Sequence, residues 1–312
     1  MRPIDMHCDT ILRLMKDKEN LELYENDFSI DIKKMKKGNS LAQFFAMFVY
    51  LKEEKDPMEM CLEMIDKFYT ELEKNKDSIS IATSYEDIIK NDREGKMSAV
   101  LTIEEGGTIK GKLENLRNFY RLGVRAITLT WNFPNEIGFP NTYYECKDEG
   151  LTNFGAEVVN EMNRLGMLID VSHLSDQGFY NVARLSSKPF IASHSNARSV
   201  KEHSRNLNDD MIKTLSEKGG IMGICFEKYF LGESENAKVE DMIKHIKHIR
   251  NIGGIDVIAL GSDFDGCSPN IEIDNIGEIE KLAYGLRDNK FTEDEIDKIF
   301  YKNALRVIKN VL

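Results

Sequence analysis

Runs of apolar residues recur along the chain, and segments whose apolar positions repeat every three or four residues separate them. The runs are short and mostly uninterrupted, which is typical of strands buried on both faces of a sheet. Several of the intervening segments end at a glycine, as helices commonly do. We predict eight main strands, at residues 3–9, 41–51, 98–104, 125–131, 167–173, 189–195, 220–226 and 257–264.

The alternation of buried strands with helices indicates a parallel α/β sheet, either a closed eight-stranded barrel or an open doubly wound sheet. The number of strands favours the closed TIM-type (β/α)8 barrel. We expect a small additional strand at residues 79–84 and two extra C-terminal helices after residue 275. Since no repeat, linker or low-complexity tract marks a boundary, residues 1–312 are predicted to form one domain.

Residues 132–152 interrupt this alternation with a long connection that contains two of the six prolines. Loops of this length in compact domains are often lids or binding loops. The alternative interpretation is a solvated insertion.

Charge and cysteine content narrow the class of protein. A formal charge of -11 argues against a nucleic-acid or anionic-membrane partner, which would require a basic surface. The five cysteines are scattered and form no C-x-x-C pair, so neither a disulfide framework nor a zinc finger is indicated. The longest apolar run, residues 41–51, is too short to span a bilayer, and the first residues do not resemble a secretory leader. We expect a cytoplasmic protein.

The stretch DMHCDT, at residues 5–10, places His7 and Asp9 on the same face of the first predicted strand. A His-x-Asp pair is common by chance, so it needs partners elsewhere. Similar side chains lie at the carboxyl ends of other predicted strands, where barrels assemble their active sites. These are Glu104, Glu105, His173, His194 and Asp263.

Imidazoles and carboxylates without a thiolate suit zinc or another borderline divalent ion, and a shared glutamate could bridge two ions. Such a centre stays cationic, lowers the pKa of bound water and attracts an anionic substrate group. Asp263 is then a candidate proton acceptor and donor. Cys8 should point to the face opposite His7 and Asp9, and we interpret it as a core thiol.

Seven motifs, in order, resemble the membrane dipeptidase (renal dipeptidase) family of zinc peptidases, which are metal-dependent hydrolases built on a (β/α)8 barrel. They are DMHCDT, IEEGG at 103–107, RLGVRAITLTWN at 121–132, NRLGMLIDVSHLS at 163–175, PFIASHSNARSV at 189–200, HSRNLNDD at 203–210 and GSDFDG at 261–266. The resemblance covers nearly the whole chain.

The resemblance implies two zinc ions (Zn²⁺) per chain. His7 and Asp9 would hold one ion, and His173 and His194 would hold the second. Glu105 would bridge them, because the family's glutamate immediately precedes the glycine pair.

Two positions depart from the family pattern. Trp131 stands where familiar members have a histidine that contacts the substrate; it is expected to wall the pocket, and Asn132 to supply a hydrogen-bond donor. The family's second carboxylate-binding residue, a tyrosine, falls at Tyr229 or Phe230.

The resulting hypothesis is a zinc-dependent dipeptidase. A hydroxide bridging the metals would attack the amide carbon, Asp263 would pass a proton to the leaving amine, and Arg205, in HSRN, would bind the free C-terminal carboxylate. The alternative is a related binuclear metal hydrolase acting on N-acyl amino acids, lactones or cyclic amides. A non-catalytic binding module is disfavoured, because all five presumed ligands and Asp263 are present in type. Because family members are commonly homodimers, the resemblance implies one here.

Overall fold

The fold is given by a computed structural model that describes residues 1–16, 21–53, 56–142, 146, 148–233, 235–268 and 270–312. Within these residues one parallel sheet of nine strands forms the centre of the molecule. The strands are β1 (Ile4–Asp5), β2 (Ala42–Phe48), β3 (Ile79–Ile81), β4 (Met97–Glu104), β5 (Val124–Thr128), β6 (Leu168–Asp170), β7 (Ile191–Ala192), β8 (Ile221–Ile224) and β9 (Ile258–Leu260).

Eight of these strands close into a barrel in the order β1, β2, β4, β5, β6, β7, β8, β9 and back to β1. The ninth strand, β3, pairs with the first half of β4, from Met97 to Ala99. β5 takes over the same edge of β4 from Leu101, with a register shift between Leu101 and Thr102. The predicted (β/α)8 barrel is confirmed, and the small additional strand predicted near residue 79 lies at its rim.

Helices surround the barrel and follow most of its strands. They are α1 (Thr10–Lys16), α2 (Ile32–Lys37), α3 (Pro57–Lys74), α4 (Tyr85–Arg93), α5 (Leu113–Arg121), α6 (Asn153–Leu165), α7 (Asp176–Leu185), α8 (Asp209–Glu217), α9 (Lys228–Leu231), α10 (Val239–Gly253), α11 (Glu280–Asp288), α12 (Glu293–Asp297) and α13 (Asn303–Val311). A π-helical turn, Lys298–Lys302, joins α12 to α13.

The local sequence explains where these helices begin and end. α3 begins because the Asp56 side chain accepts hydrogen bonds from the backbone N–H groups of Met58 and Glu59, and Pro57 occupies the first turn, where its missing N–H costs nothing. α6 ends at Gly166, whose φ of 75° is easily adopted only by glycine.

The apolar core has two parts. The larger lies between the strands and the surrounding helices. The smaller joins apolar residues near the amino ends of several strands to the inner face of α13. No helix in the described part of the chain is long and apolar enough to cross a bilayer.

Candidate metal centre and active site

The side chains singled out by the sequence converge at the carboxyl ends of the barrel strands. His7 and Asp9 follow β1, His173 follows β6, His194 follows β7 and Asp263 follows β9. His173 and Asp263 adopt left-handed backbone conformations, with φ of 67° and 62°, which non-glycine residues rarely do. Such local strain is typical of residues aimed into a functional site.

Glu104, the last residue of β4, lies at the centre of this cluster. Its Oε2 atom is 3.1 Å from Nε2 of His7. Its Oε1 atom is 3.1 Å from Nε2 of His173 and 3.6 Å from Nε2 of His194. Two sets of potential metal ligands therefore share this one carboxylate, His7 and Asp9 on one side and the two other histidines on the other, with the ligand atoms of each set within 4.8 Å of one another.

Glu105, to which the resemblance gave the bridging role, lies outside the cluster. Its Oε1 atom accepts a hydrogen bond from the backbone N–H of Gly107 at 2.8 Å, and its Oε2 atom accepts one from the N–H of Trp131 at 2.9 Å. The side-chain amide of Asn135 also donates to it. The placement therefore corrects the choice of Glu105: side chains of consecutive residues leave a strand on opposite faces, and it is Glu104 that faces the histidines.

Partners on the other ring nitrogen orient two of the imidazoles. Nδ1 of His173 is 2.9 Å from Oδ1 of Asn132, and Nδ1 of His194 is 2.8 Å from Oγ of Ser193, whose hydroxyl donates to Asp170. This network assigns the hydrogen of each ring to Nδ1 and a lone pair to each Nε2. The two Nε2 atoms are 3.0 Å apart. Their lone pairs repel one another, and a cation bound beside both would remove that repulsion.

Burial and charge set the protonation states of the histidines. Burial and the nearby Arg205 cation lower the pKa of His173 to about 4. Burial likewise lowers the pKa of His194 well below its usual value. Both rings are therefore neutral at pH 7, which is the form that binds metals.

His7 behaves differently from the other two rings. Burial opposes its charged form, but the negative charges of Glu104 and Asp9 raise the pKa of His7 well above its usual value. The pKa of Glu104 is lowered well below its usual range by the same pairing, although burial alone would raise it. A positive charge is thus favoured between these groups, and a metal ion would replace the proton there.

The donor set fits divalent metal ions. It consists of three buried imidazoles and two buried carboxylates, without sulfur, which suits zinc and similar cations. In addition, Oδ1 of Asp9 is buried and has no hydrogen-bond partner among the described residues. A buried carboxylate oxygen without a partner is costly, and coordination to a cation would satisfy it.

Asp263 lies at the edge of the cluster, with Oδ1 3.9 Å from Nε2 of His7. Burial is the main cause that raises the pKa of Asp263 well above its usual range, and the negative charges of its neighbours, Asp9 and Glu104 among them, act in the same direction. A carboxyl group with a raised pKa can both hold and release a proton near neutral pH. This raised pKa favours the protonated form of the Asp263 carboxyl group.

Arg205 is only 3% exposed, although guanidinium groups are seldom buried. Nη2 donates to the backbone carbonyl of His194 at 3.1 Å, while Nε and Nη1 have no hydrogen-bond partner within the described residues. The guanidinium lies 5.4 Å from the ring centre of Phe230. A buried guanidinium with unused donors is suited to binding a carboxylate.

A cavity of about 490 Å³ opens above the cluster and has Trp131 in its wall. The Trp131 ring packs edge-on against Phe48 and Tyr50, with ring centres 4.8 and 5.2 Å apart. Both Tyr229 and Phe230 line the same cavity, and Tyr229 is 60% exposed. Trp131 thus lies in the wall of this cavity.

Asn132 also lines the cavity, but its oxygen is engaged with His173. The same long loop packs on the His173 segment, where the N–H of Asn141 donates to the His173 carbonyl at 2.7 Å. Residues 143–145 and 147, within the predicted lid or binding loop, lie outside the described residues.

Several supporting residues escaped the sequence analysis. Asp170 accepts hydrogen bonds from the N–H groups of Ser172 and Ser193, at 3.0 and 2.9 Å, and each of these serines immediately precedes one of the two histidines. Asp5 accepts from the N–H and hydroxyl of Ser262, at 2.8 and 2.7 Å, just before Asp263. A signal was present: an Ile-Asp pair ends two strands shortly before a histidine, in IDMH and IDVSH.

A closed parallel barrel whose strands end in a shared cluster of histidines and carboxylates defines the class of metal-dependent hydrolases. The whole chain, residues 1–312, matches the model of the family described as membrane dipeptidase (peptidase family M19). The chain belongs to this family and is a metallo-dipeptidase, which confirms the resemblance seen in the motifs.

Two relatives are similar to the chain in sequence, and one of them is described as a dipeptidase. An uncharacterized dipeptidase of Schizosaccharomyces pombe is 31% identical over an alignment that covers 98% of this chain and 79% of that protein. An uncharacterized protein of Klebsiella pneumoniae, from the pqqA 5' region, is 34% identical over 72% of this chain and 86% of its own length.

Two solved structures match over the full length of the chain. A metallo peptidase from Rhodobacter sphaeroides, liganded with a phosphinate mimic of the dipeptide L-Ala-D-Ala, is 26% identical with a TM-score of 0.93 and covers 100% of this chain and 99% of that chain. A structure described as the dipeptidase AC of family M19 is 27% identical, also with a TM-score of 0.93, and covers 100% and 98%.

Proposed function

We propose that this protein hydrolyses the peptide bond of dipeptides with a free C-terminal carboxylate, using two zinc ions. The observation that carries this proposal is the position of Glu104, whose Oε2 atom lies 3.1 Å from Nε2 of His7 and whose Oε1 atom lies 3.1 Å from Nε2 of His173. His7 and Asp9 would hold one ion, His173 and His194 the other, and Glu104 would contact both. Bound there, the ions would activate the attacking water and polarise the scissile carbonyl.

Asp263 moves the proton in this mechanism. Its carboxylate takes a proton from the attacking water and delivers it to the leaving amine nitrogen, and its raised pKa favours the protonated form that the second step needs. The Trp131 and Phe48 rings form an apolar wall beside the reacting groups and limit the access of water.

Arg205 selects the substrate through its unused N–H donors, which would bind the terminal carboxylate. The Rhodobacter relative was solved with a mimic of L-Ala-D-Ala, a dipeptide of this kind. The unused donors are buried and Arg205 does not line the cavity, so the carboxylate would reach them only after neighbouring side chains, such as Phe230, move aside.

The proton-transfer role is tested with Asp263→Asn. We expect kcat for dipeptide hydrolysis to fall by about 10²–10⁴-fold, because the amide cannot carry the proton, while the metal content stays unchanged. Asp265→Asn is the matched control, since Asp265 also lines the cavity but is engaged by Ser29 and Thr10. Near-normal turnover in Asp263→Asn with the metals retained would remove Asp263 from the mechanism.

The carboxylate-binding role is tested with Arg205→Met on paired substrates. We expect kcat/KM to fall about 10–100-fold for a free dipeptide, the value of a lost charge-assisted hydrogen bond, and to change little for the same dipeptide as its C-terminal amide. A panel of L,L and L,D dipeptides and N-acyl amino acids measured with the wild type completes the test. Equal losses on the free and amidated dipeptides, or activity confined to N-acyl amino acids, would reject the assignment.

The cellular setting and assembly are part of the same proposal. All five cysteines are free, including two whose sulfur atoms are neighbours, which supports a reducing compartment such as the cytoplasm. The homodimer rests on the family resemblance and is measured by sedimentation of the purified protein.

A further inference from the structure

Two cysteines lie beside Asp263, on the side away from the histidines. Cys225 follows β8 and Cys267 lies in the turn after β9. Oδ1 of Asp263 faces His7, whereas Oδ2 is 3.9 Å from Sγ of Cys225. The two sulfur atoms and a carboxylate oxygen of Asp263 all lie within 4.8 Å of one another.

A backbone oxygen lies beside one of the two sulfur atoms. Sγ of Cys267 is 3.3 Å from the backbone carbonyl oxygen of Ser262. A metal–sulfur distance of about 2.3 Å places the ligands of a tetrahedral site roughly 3.8 Å apart. The two sulfur atoms and the Asp263 oxygen lie within 4.8 Å of one another, so only small side-chain movements are needed to gather these three atoms around one ion.

The group is reached from a second cavity of about 360 Å³ that shares Arg13 and Asp265 with the substrate cavity and is lined by Cys267. Asp27 and Asp274 also line it, so among the described residues of its wall the carboxylates outnumber the single arginine. This charge distribution attracts cations towards the exposed edge of Cys267.

We propose that Cys225, Cys267 and Asp263 form an additional binding site for one thiophilic divalent cation, such as Cd²⁺ or excess Zn²⁺. Two thiolates and one carboxylate make a soft site, in contrast to the nitrogen and oxygen ligands around Glu104. Binding releases the two thiol protons to solvent and forms two metal–sulfur bonds, without any change of oxidation state.

Occupancy of this site inhibits hydrolysis, because the ion occupies the carboxylate that transfers the proton. This consequence rests on the proposed function of Asp263, whereas binding of the ion does not. The two statements therefore need separate measurements on the same samples.

The experiment titrates the metal-loaded enzyme with Cd²⁺, with a phosphine reductant keeping the thiols reduced. Ultraviolet absorption from thiolate-to-cadmium charge transfer reports binding to sulfur, and the proposed hydrolytic centre cannot produce it because its ligands contain no sulfur. We expect the absorption to saturate at one equivalent, and dipeptide hydrolysis to fall at least 10-fold over the same range.

Three variants show which cysteines produce the ultraviolet absorption. Cys267→Ser and Cys225→Ser should each lose most of the absorption, and Cys267→Ser should keep its basal hydrolysis and resist inhibition. Cys146→Ser, which removes a partly buried thiol elsewhere, should behave as wild type.

The outcomes separate the two claims. Absence of the absorption in the wild type, or its persistence in both Cys267→Ser and Cys225→Ser, overturns the site. Saturating absorption with unchanged hydrolysis supports the site and overturns its link to Asp263. The absorption remains diagnostic even if the enzyme fails to cleave dipeptides, so failure of the proposed function is distinguished from failure of the site.

Discussion

The two ends of the barrel are built on opposite principles. At the amino end, Ile4, Val100 and Ile191 pack with Val307 and Ile308 of α13 in one apolar cluster, each at most 1% exposed. At the carboxyl end, buried histidines and carboxylates lie within 4 Å of one another. One end lowers the free energy of the fold by removing apolar surface from water. The other concentrates charges that are costly to bury.

The difference shows where the stability and the chemistry of this protein reside. Charged groups are held close together at the carboxyl end because the apolar end and the outer helices fix the strands beneath them. In barrels generally, residues at the amino end serve stability and those at the carboxyl end serve catalysis. Substitutions at the amino end should therefore lower the free energy of unfolding, and substitutions at the carboxyl end should lower the catalytic activity.

The largest effect is expected from Glu104→Gln at the carboxyl end. Loss of the carboxylate shared by both ligand sets should lower kcat/KM by more than ~1,000-fold, since loss of a mere supporting partner of a metal ligand already costs 10–100-fold. Metal content, measured by elemental analysis after zinc reconstitution, should also fall.

Glu105→Gln is the matched control for that experiment. Burial raises the pKa of Glu105 to about 7, so a neutral amide resembles one of its two forms at neutral pH. We expect less than a 10-fold change in kcat/KM and an unchanged metal content. The reverse result, with Glu105→Gln inactive and Glu104→Gln active, would restore the role that the motif alone assigned to Glu105.

The next largest effect is expected from Ile308→Ala at the amino end. Ile308 is 1% exposed, and its truncation should lower the free energy of unfolding by about 2–5 kcal/mol while kcat stays unchanged. Urea denaturation measures the first quantity and dipeptide hydrolysis the second. Asn310→Ala, on the exposed face of the same helix, should alter neither. A comparable loss of kcat in Ile308→Ala would show that the two ends are not separable.

A smaller effect, dependent on pH, is expected at His245 of α10, behind the carboxyl-end loops. Its Nδ1 accepts from the N–H of Ala197 and its Nε2 donates to the carbonyl of Leu231, both at 3.0 Å. Burial lowers the pKa of His245 to about 4. The negative charge of Asp241 opposes this shift, and the positive charges of His248 and Lys244 add to it by smaller amounts. The folded protein therefore keeps this ring neutral where the unfolded chain, with a pKa near 6.5, protonates.

The contribution of the neutral His245 ring to the free energy of unfolding is complete above pH 6.5 and decreases as the pH falls towards 4. By pH 5 it should be reduced by about 2 kcal/mol. Urea denaturation of wild type and His245→Gln at pH 7.5 and pH 5 measures it: the wild type should lose about that much more than the variant between the two conditions. Identical pH dependence in both proteins would exclude His245 as the source.

Most of the fold could be predicted from the sequence, because buried parallel strands leave continuous apolar runs and the helices between them carry clear end signals. The division of one edge of β4 between β3 and β5 could not, since it depends on a register shift near Leu101 that no local pattern marks. The strands are also shorter in the structure than the apolar runs that predicted them. β7, for example, has only two residues.

The residue types of the candidate site could be predicted from the sequence. Which of the two consecutive glutamates faces the histidines could not. Glu104 and Glu105 are chemically identical neighbours, and a one-residue difference in where the strand ends decides which of them faces the histidines. The contact between Ser193 and Asp170 and the proximity of Cys225 and Cys267 depend on side chains that lie 23 and 42 residues apart in the chain. Only the pairing of the neighbouring strands β6 with β7 and β8 with β9 brings them together.

One backbone hydrogen bond constrains how this enzyme can be redesigned. The N–H of Trp131 donates to Glu105, next to Glu104 in the chain, and the following residue, Asn132, orients His173. A library that varies position 131 to admit new substrates keeps this N–H in every variant except proline, but it must also keep the backbone of residues 131 and 132 in place, because Asn132 contacts His173. Changes of specificity at this wall and retention of metal are coupled traits, and variants selected for one should be screened for the other.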